Sequence, residues 1–307
     1  LKKNFNSWND TLNFSDNEFI ELVRNLELDI LFDLSGYFFG NRVQAFRARC
    51  APIQISWLGY CNSLGIKNMD YLIADENLIP KDEQEQYSEK ILYMPNIWST
   101  ISIPKNLDKI VIKLPKKERN FTYGSFNNFQ KISKNTIKVW SKILNNSNSK
   151  LILKNSIGEN SKKLNEIILD KFKKEKVDTN KIKILLPTKT REEHLDCYNQ
   201  IDLAVDTFPY PGVTTTFEAI LMGVPVLTKR GNNFNSRCGE SINLNFDMKI
   251  FIAENEEDYF KKAIEMQSKR EFLSELKLKM RDTFLRSKTF SSKSYTYDLS
   301  NLLKNLL

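Results

Sequence analysis

Apolar positions recur along this chain at two spacings, and the switching between them predicts its elements. Over residues 15–26, Phe19, Leu22, Val23 and Leu26 fall at three- and four-residue steps, the period of a helix with one buried face. Ser15 and Glu18 form a capping box at its start. Residues 29–34 (DILFDL) and 52–58 (PIQISWL) are instead short apolar runs closed by turn residues, which predicts buried strands flanking a short helix over 41–50. Further strands are predicted at 71–74 and 91–94. Over 103–120 the periodicity fades and lysines, prolines and asparagines collect, the pattern of a linker. A second alternating set follows, with strands at 121–126, 151–153, 182–186, 203–205 and 224–228. Helices are predicted at 133–144, 161–174 and 190–200, and two or three more beyond residue 254. Strands alternating with helices predict an α/β fold with parallel sheets covered on both faces. The linker divides the chain into 1–104 and 105–285, with 286–307 as a terminal helix.

The stretch 202–226 (DLAVDTFPYPGVTTTFEAILMGVPV) carries the most chemistry. A buried strand passes through a Pro- and Gly-rich turn into a helix opened by three threonines. The first N–H groups of a helix lack intrahelical partners and carry the positive end of its dipole, so this is a seat for phosphate. Thr214 and Thr215 add hydroxyl donors, and Glu218, read as lying in the first turn, offers a carboxylate to a ribose hydroxyl. Thr215 and Glu218 also spell a T-x-x-E capping box, which any helix can use on its own donors. Two other loops carry matching groups. In 124–131 (GSFNNFQK) Lys131 could neutralise a diphosphate and Asn128 donate to it; 188–194 (TKTREEH) holds Arg191 and His194, the single histidine of the chain. Ligands of open parallel sheets bind at the carboxyl ends of strands, where all three loops begin.

Composition narrows the classes. A length of 307 residues, 41% of them hydrophobic, is enough for more than one core. The net charge of +8 is spread over many helix faces without a nucleic-acid motif, so it reads as a solvated lysine-rich surface and no nucleic-acid partner is expected. Cys50, Cys61, Cys197 and Cys238 lack close paired spacing, which fits reduced thiols in a cytoplasmic protein and argues against a disulfide framework or zinc site. No apolar run reaches the roughly 18 residues that span a bilayer and no signal-peptide pattern is read, so no membrane partner is expected. The first residue is Leu1, from which a piece of a longer protein is expected.

The blocks DILFDLSGY, APIQISWLGY, MDYLIAD, YSEKILYMP, GSFNNFQKI, REEH and DTFPYPGVTTTFEAILMGVPVLT, in that order, resemble the catalytic region of the O-linked N-acetylglucosamine transferase and SPINDLY-like family, particularly its bacterial members. The resemblance runs from about Ser7 to beyond Arg237. It implies a GT-B glycosyltransferase: two Rossmann-like parallel-sheet domains facing a cleft, the first incomplete here. It further implies inverting, metal-independent transfer of N-acetylglucosamine from UDP-N-acetylglucosamine to protein Ser or Thr hydroxyls, with no cofactor. The alternatives are a SPINDLY-like transferase using GDP-fucose and an inactive nucleotide-binding fragment. By the same resemblance Lys131 is the catalytic lysine on the diphosphate, and Asn128, Thr214 and Thr215 contact phosphate. Arg191, His194 and Glu218 belong to the nucleotide and ribose site, and Gly59 and Tyr60 to a sugar-facing loop of the first domain. The protein acceptor is expected to bind through upstream tetratricopeptide repeats that this chain lacks, as it lacks the family's upstream histidine-bearing segment. Asp29 stands where the family has a second histidine, Cys61 where it has proline, Arg191 where it has lysine and Glu218 where it has aspartate. Asp29 and Asp33 read as loop-capping carboxylates, and no general base is assigned.

Overall fold

Four short apolar runs, β1 (Ile30–Asp33), β2 (Ile53–Ser56), β3 (Tyr71–Ala74) and β4 (Lys90–Tyr93), pair in sequence order as one parallel sheet. They belong to the first of two units in the computed structural model, which describes residues 2–116, 118–154 and 161–307. This unit comprises Leu1–Trp98 and Leu299–Leu307. Its helix α1 (Asp16–Asn25) starts at the Ser15–Glu18 capping box read from the sequence. Asp33 does cap a loop, accepting from the N–H groups of Ser35 and Gly36, whereas Asp29 is exposed ahead of β1. The helix expected over 41–50 shrinks to α2 (Val43–Phe46). The chain leaves it because Arg49 takes a positive φ of 52° and clasps the Asp70 carboxylate with two guanidinium nitrogens.

The second unit, Ser99–Asp298, contains a six-stranded parallel sheet in the order β10-β9-β8-β5-β6-β7. Its elements run β5 (Thr122–Ser125), α3 (Lys134–Asn145), β6 (Lys150–Lys154), α4 (Ser161–Lys174), β7 (Ile182–Leu185), α5 (Arg191–Asp196) and β8 (Leu203–Val205). They continue through α6 (Thr214–Leu221), β9 (Val226–Lys229), α7 (Phe234–Asn245), β10 (Ile252–Ala253), α8 (Glu256–Ser268) and α9 (Arg270–Arg286) to the first half of α10 (Ser292–Lys304), whose residues from Leu299 on belong to the first unit. Because β5 sits between β6 and β8, the crossovers leave it in opposite directions. Side chains such as Trp140, Phe172, Phe217, Tyr259 and Phe284 fill the core around this sheet.

Several expectations change. The units divide between Trp98 and Ser99, where the sequence reading put 104/105, and the terminal helix expected in 286–307 is α10, whose residues from Leu299 on group with the first unit. The stretch read as a linker is packed onto the second unit: Leu107 and Ile110 are buried, and Arg281 on α9 donates to the Ile110 carbonyl at 2.6 Å. Lys117, within that stretch, lies outside the described residues. The strand expected from Val224 begins two residues later, because the Val224 N–H is still used by the Ala219 carbonyl at the end of α6. Helix α7 and strand β10 have no counterpart in the sequence reading. Among the described residues no helix is long and apolar enough to cross a membrane.

One buried cation makes stability depend on pH. Lys277 on α9 is 3% exposed, and its amine faces the carbonyls of Tyr198 and Ile201 at 3.4 Å each. Burial lowers its pKa from 10.5 to about 8, against the pull of Asp202 and with a smaller push from Arg119. Below about pH 8 the lysine is charged in both states and the cost of burying it is fully present. Between about 8 and 10.5 the unfolded chain holds a proton that the folded chain has released, so stability rises with pH. Relative to Lys277→Met, urea unfolding of the wild type is expected to show a gain of up to about 2 kcal/mol between roughly pH 8 and 9.5, while the Cys50 and Cys197 thiols, which burial raises, pull both proteins the other way. Lys277→Met should lack that gain, and equal pH slopes in the two proteins would contradict the assignment. Tyr198 and Tyr259, which burial raises well above the usual tyrosine range, oppose the rise only at higher pH.

Candidate active site

The reversal of strand order at β5 and β8 opens a crevice at their carboxyl ends, the place where doubly wound sheets take ligands. The two strands pair in parallel through Tyr123↔Leu203 and Gly124↔Ala204. The loops that leave them are therefore neighbours, although residues 127 and 206 lie far apart in sequence.

Asp206, the first residue after β8, turns inward and is 2% exposed. Its Oδ1 accepts from the N–H groups of Gly212 at 2.7 Å and Thr207 at 3.0 Å and from Asn127 Nδ2 at 2.8 Å; Oδ2 accepts from the Thr228 hydroxyl at 3.0 Å. Burial raises the Asp206 carboxyl above the usual range, while the Gly212 N–H, the Asn127 and Thr228 side chains and the Lys131 charge pull it back. The carboxylate thus fixes the turn 207–212 from within. Gly212 has to be glycine, since a Cβ there would run into Thr215 Oγ1 and Asn127 Oδ1.

Lys131 fixes the same turn from the β5 side. It closes a 3₁₀ turn (Phe129–Lys131), and its amine donates to the Pro211 carbonyl at 2.8 Å and lies 3.8 Å from the centre of the Tyr210 ring. Three residues beyond Pro211, α6 begins. Ser15, Ser133, Thr190, Asn233 and Asn255 each give a side-chain acceptor to the start of α1, α3, α5, α7 and α8; the residue before α6 is Val213, which gives none. Helices α2 and α9 also start without one, after Arg42 and Lys269, so what sets the open positive end of α6 apart is its place at the switch point of the sheet.

Helix α5 supplies the second half. Glu218 is 6% exposed; its Oε2 lies 3.0 Å from His194 Nε2 and its Oε1 3.6 Å from Arg191 Nε. A carboxylate accepts only, so His194 Nε2 carries the hydrogen. The His194 ring packs edge-on against Phe126 and Tyr198, and the Tyr198 hydroxyl donates to the Thr215 carbonyl at 3.0 Å. Burial, then the Glu218 charge, keep that phenol protonated.

The sequence-predicted residues Asn128, Lys131, Arg191, His194, Thr214, Thr215 and Glu218 all lie in the second unit, and the contacts above join most of them. Asn128 is exposed and spends its side-chain oxygen on the Gln130 N–H, which leaves its amide donor outward. Thr214 is exposed, whereas the Thr215 hydroxyl is already given to Asn127. Glu218 lies in the second turn of α6, not the first, and the T-x-x-E capping box does not form: Thr215 and Glu218 have partners on other elements. Gly59 and Tyr60 belong to the first unit, where a Cβ on Gly59 would strike the Leu34 carbonyl and the Tyr60 ring packs edge-on against Tyr37 and Phe38. Sequence reasoning missed Asn127, Asp206 and Tyr198. Asp206, a carboxylate at the end of an apolar run and five residues before a Pro-Gly pair, was the available signal.

The family model described as Glycosyl transferase family 41 matches residues 17–113 and 109–299. A protein of Eustoma exaltatum subsp. russellianum named "Probable UDP-N-acetylglucosamine--peptide N-acetylglucosaminyltransferase SPINDLY" is 30% identical over 95% of this chain and 32% of its own length. An Arabidopsis thaliana protein with the same activity in its name, SEC, is 23% identical over 94% of this chain and 30% of its own. The chain therefore spans about a third of the length of the curated relatives it matches. A solved Thermobaculum terrenum O-GlcNAc transferase mutant superposes with a TM-score of 0.88 at 27% identity, over 99% of this chain and 57% of that one. A trehalose-6-phosphate synthase, OtsA, aligns with a TM-score of 0.58 at 10% identity, over 94% and 75%. That likeness bears on the fold alone, and with the two parallel sheets it agrees with the GT-B class.

Proposed function

The chain belongs to glycosyl transferase family 41, and from that premise we propose that it moves N-acetylglucosamine from UDP-N-acetylglucosamine to Ser or Thr hydroxyls of proteins, with inversion at the sugar carbon. One observation carries the reading most: the Lys131 amine is fixed on the turn that opens an uncapped helix, at the switch point of the sheet. In the transfer, the acceptor oxygen forms a bond to the anomeric carbon as the bond from that carbon to the β-phosphate breaks. The electron pair leaves on the diphosphate and the hydroxyl proton is released. Negative charge grows on the diphosphate, where preorganised N–H donors and a lysine stabilise it with little reorganisation. His194, Arg191 and Glu218 form the nucleoside end of the site, with a ribose hydroxyl adding to the lone pairs of Glu218 that α5 leaves open. Gly59 and Tyr60 are proposed to face the sugar, and the acceptor to be held in part by upstream tetratricopeptide repeats in a cytoplasmic setting.

A SPINDLY-like donor, GDP-fucose, is the second reading. It comes from the resemblance to SPINDLY-like members, while the relatives SPINDLY and SEC are both named for transfer from UDP-N-acetylglucosamine. Thermal shift separates the two. A nucleotide at one hundred times its Kd stabilises by about 2.7 kcal/mol. UDP is expected to raise the melting temperature and GDP to leave it unchanged; the reverse would assign the guanine donor, and no shift with either would remove the nucleotide site.

A further inference from the structure

The chemistry of the Asp206 cluster decides which hydroxyl can serve a phosphate. Thr207 Oγ1 spends its proton on the Tyr210 carbonyl at 2.7 Å and so accepts from Asn127, as does Asp206 Oδ1, which also takes the backbone N–H groups of Gly212 and Thr207. The Asn127 atom facing it at 2.8 Å is therefore the amide nitrogen, which also donates to Thr207 Oγ1 at 3.0 Å. The other end of the amide, facing Thr215 Oγ1, is then a carbonyl oxygen that only accepts. A hydroxyl has one proton, and that of Thr215 is spent on Asn127. Its two lone pairs would repel an anion. Thr214, one residue earlier and exposed, has no such partner drawn by the cluster. Asn127 is 5% exposed and sits between β5 and the α6 turn, so it transmits the geometry of one loop to the other.

We propose that Asn127, oriented by Asp206, is a positioning residue that makes the two threonines unequal: Thr215 is locked as a structural pin of the α6 N-terminus, and Thr214 is the hydroxyl that donates to the diphosphate. The inference rests on the nucleotide-site reading above and adds a role that it does not contain.

Calorimetric titration with UDP and GDP, and with uridine and guanosine as phosphate-free probes, tests it. Asn127→Ala and Thr215→Val should each weaken nucleoside diphosphate binding by about tenfold, the weight of one hydrogen bond to a charged group. The double variant should be no weaker than either single one, because both remove the same pin. Thr214→Val should weaken binding by a similar factor, and its loss should add in full to that of Asn127→Ala. Thr215→Ser keeps the hydroxyl and should bind within about threefold of wild type. Nucleoside binding should be unchanged throughout. The inference fails if Asn127→Ala binds normally, if the Thr215→Val loss adds in full to it, or if nucleoside and diphosphate affinities fall together, which is general loosening. If Asn127→Ala does not fold, the Thr215→Val and Thr215→Ser pair decides: equal affinities sink the proposal. A wild-type protein that binds neither diphosphate rejects the site reading itself, and this inference with it.

Discussion

Lys131→Ala is expected to slow the proposed sugar transfer by about 100-fold or more, the effect of removing one preorganised donor from a site of developing charge. The fold should survive. The amine makes a hydrogen bond to the Pro211 carbonyl and a contact with the Tyr210 ring, and it eases the burial of Asp206. Losing a hydrogen bond of this kind costs about 1 kcal/mol, a fall of roughly 2–4 °C in melting temperature for a unit of this size. Single-turnover transfer measured beside circular dichroism separates the two effects. A variant that folds and transfers at the wild-type rate would take Lys131 out of the site.

Asp206→Ala is the complementary case, with the larger effect on stability. Four donors, two of them backbone N–H groups, converge on a carboxylate that is 2% exposed. Alanine leaves three of them without that partner in a buried place, where each counts for about 1–3 kcal/mol before the surroundings relax, and leaves Asn127 its bond to Thr207 alone. Removing one partner of a buried charged network costs about 3–5 kcal/mol in total. The melting temperature is expected to fall by roughly 10 °C. Nucleotide affinity should fall with it, since Gly212 and Asn127 both lose their anchor. A melting temperature within about 2 °C of wild type would show that the turn is held by something else.

The parts of the fold that were legible were those whose burial is apolar. Residues 203–205 (LAV) and 71–74 (YLIA) are uninterrupted apolar runs, and their ends were read to within a residue because Pro, Gly and Asp follow closely. Helix α7 escaped because its buried face is mixed. Phe234, Cys238 and Ile242 fall there at four-residue steps, but Ser236, Glu240, Ser241 and Asn243 are buried beside them, Glu240 held by Arg230 and Asn243 by the Val226 carbonyl, and these polar positions dilute the apolar period. Strand β10, Ile252–Ala253, is too short to announce itself.

The site divides along the same line. Lys131, His194 and the threonine turn could be named because each follows a strand or opens a helix, which is local information. What each side chain does there depends on partners a sequence window cannot see. Thr215 and Glu218 match a capping box in spacing, yet Asn127 comes from the loop after β5 and His194 from α5, and these contacts outcompete the local one. Asn127 and Asn128 are adjacent and identical in type. Only the structure separates the one that is 5% exposed and holds the network from the one that caps its own turn in solvent.

On this reading the Lys131 amine and the start of α6 serve one diphosphate. A crystal structure of the protein with UDP tests it most directly. The Lys131 amine and the Thr214 hydroxyl are each expected about 3 Å from diphosphate oxygens of the same ligand, with Thr215 still bonded to Asn127. A diphosphate bound in another pocket, with Lys131 remaining on Pro211 and the N–H groups of α6 facing water, would contradict it.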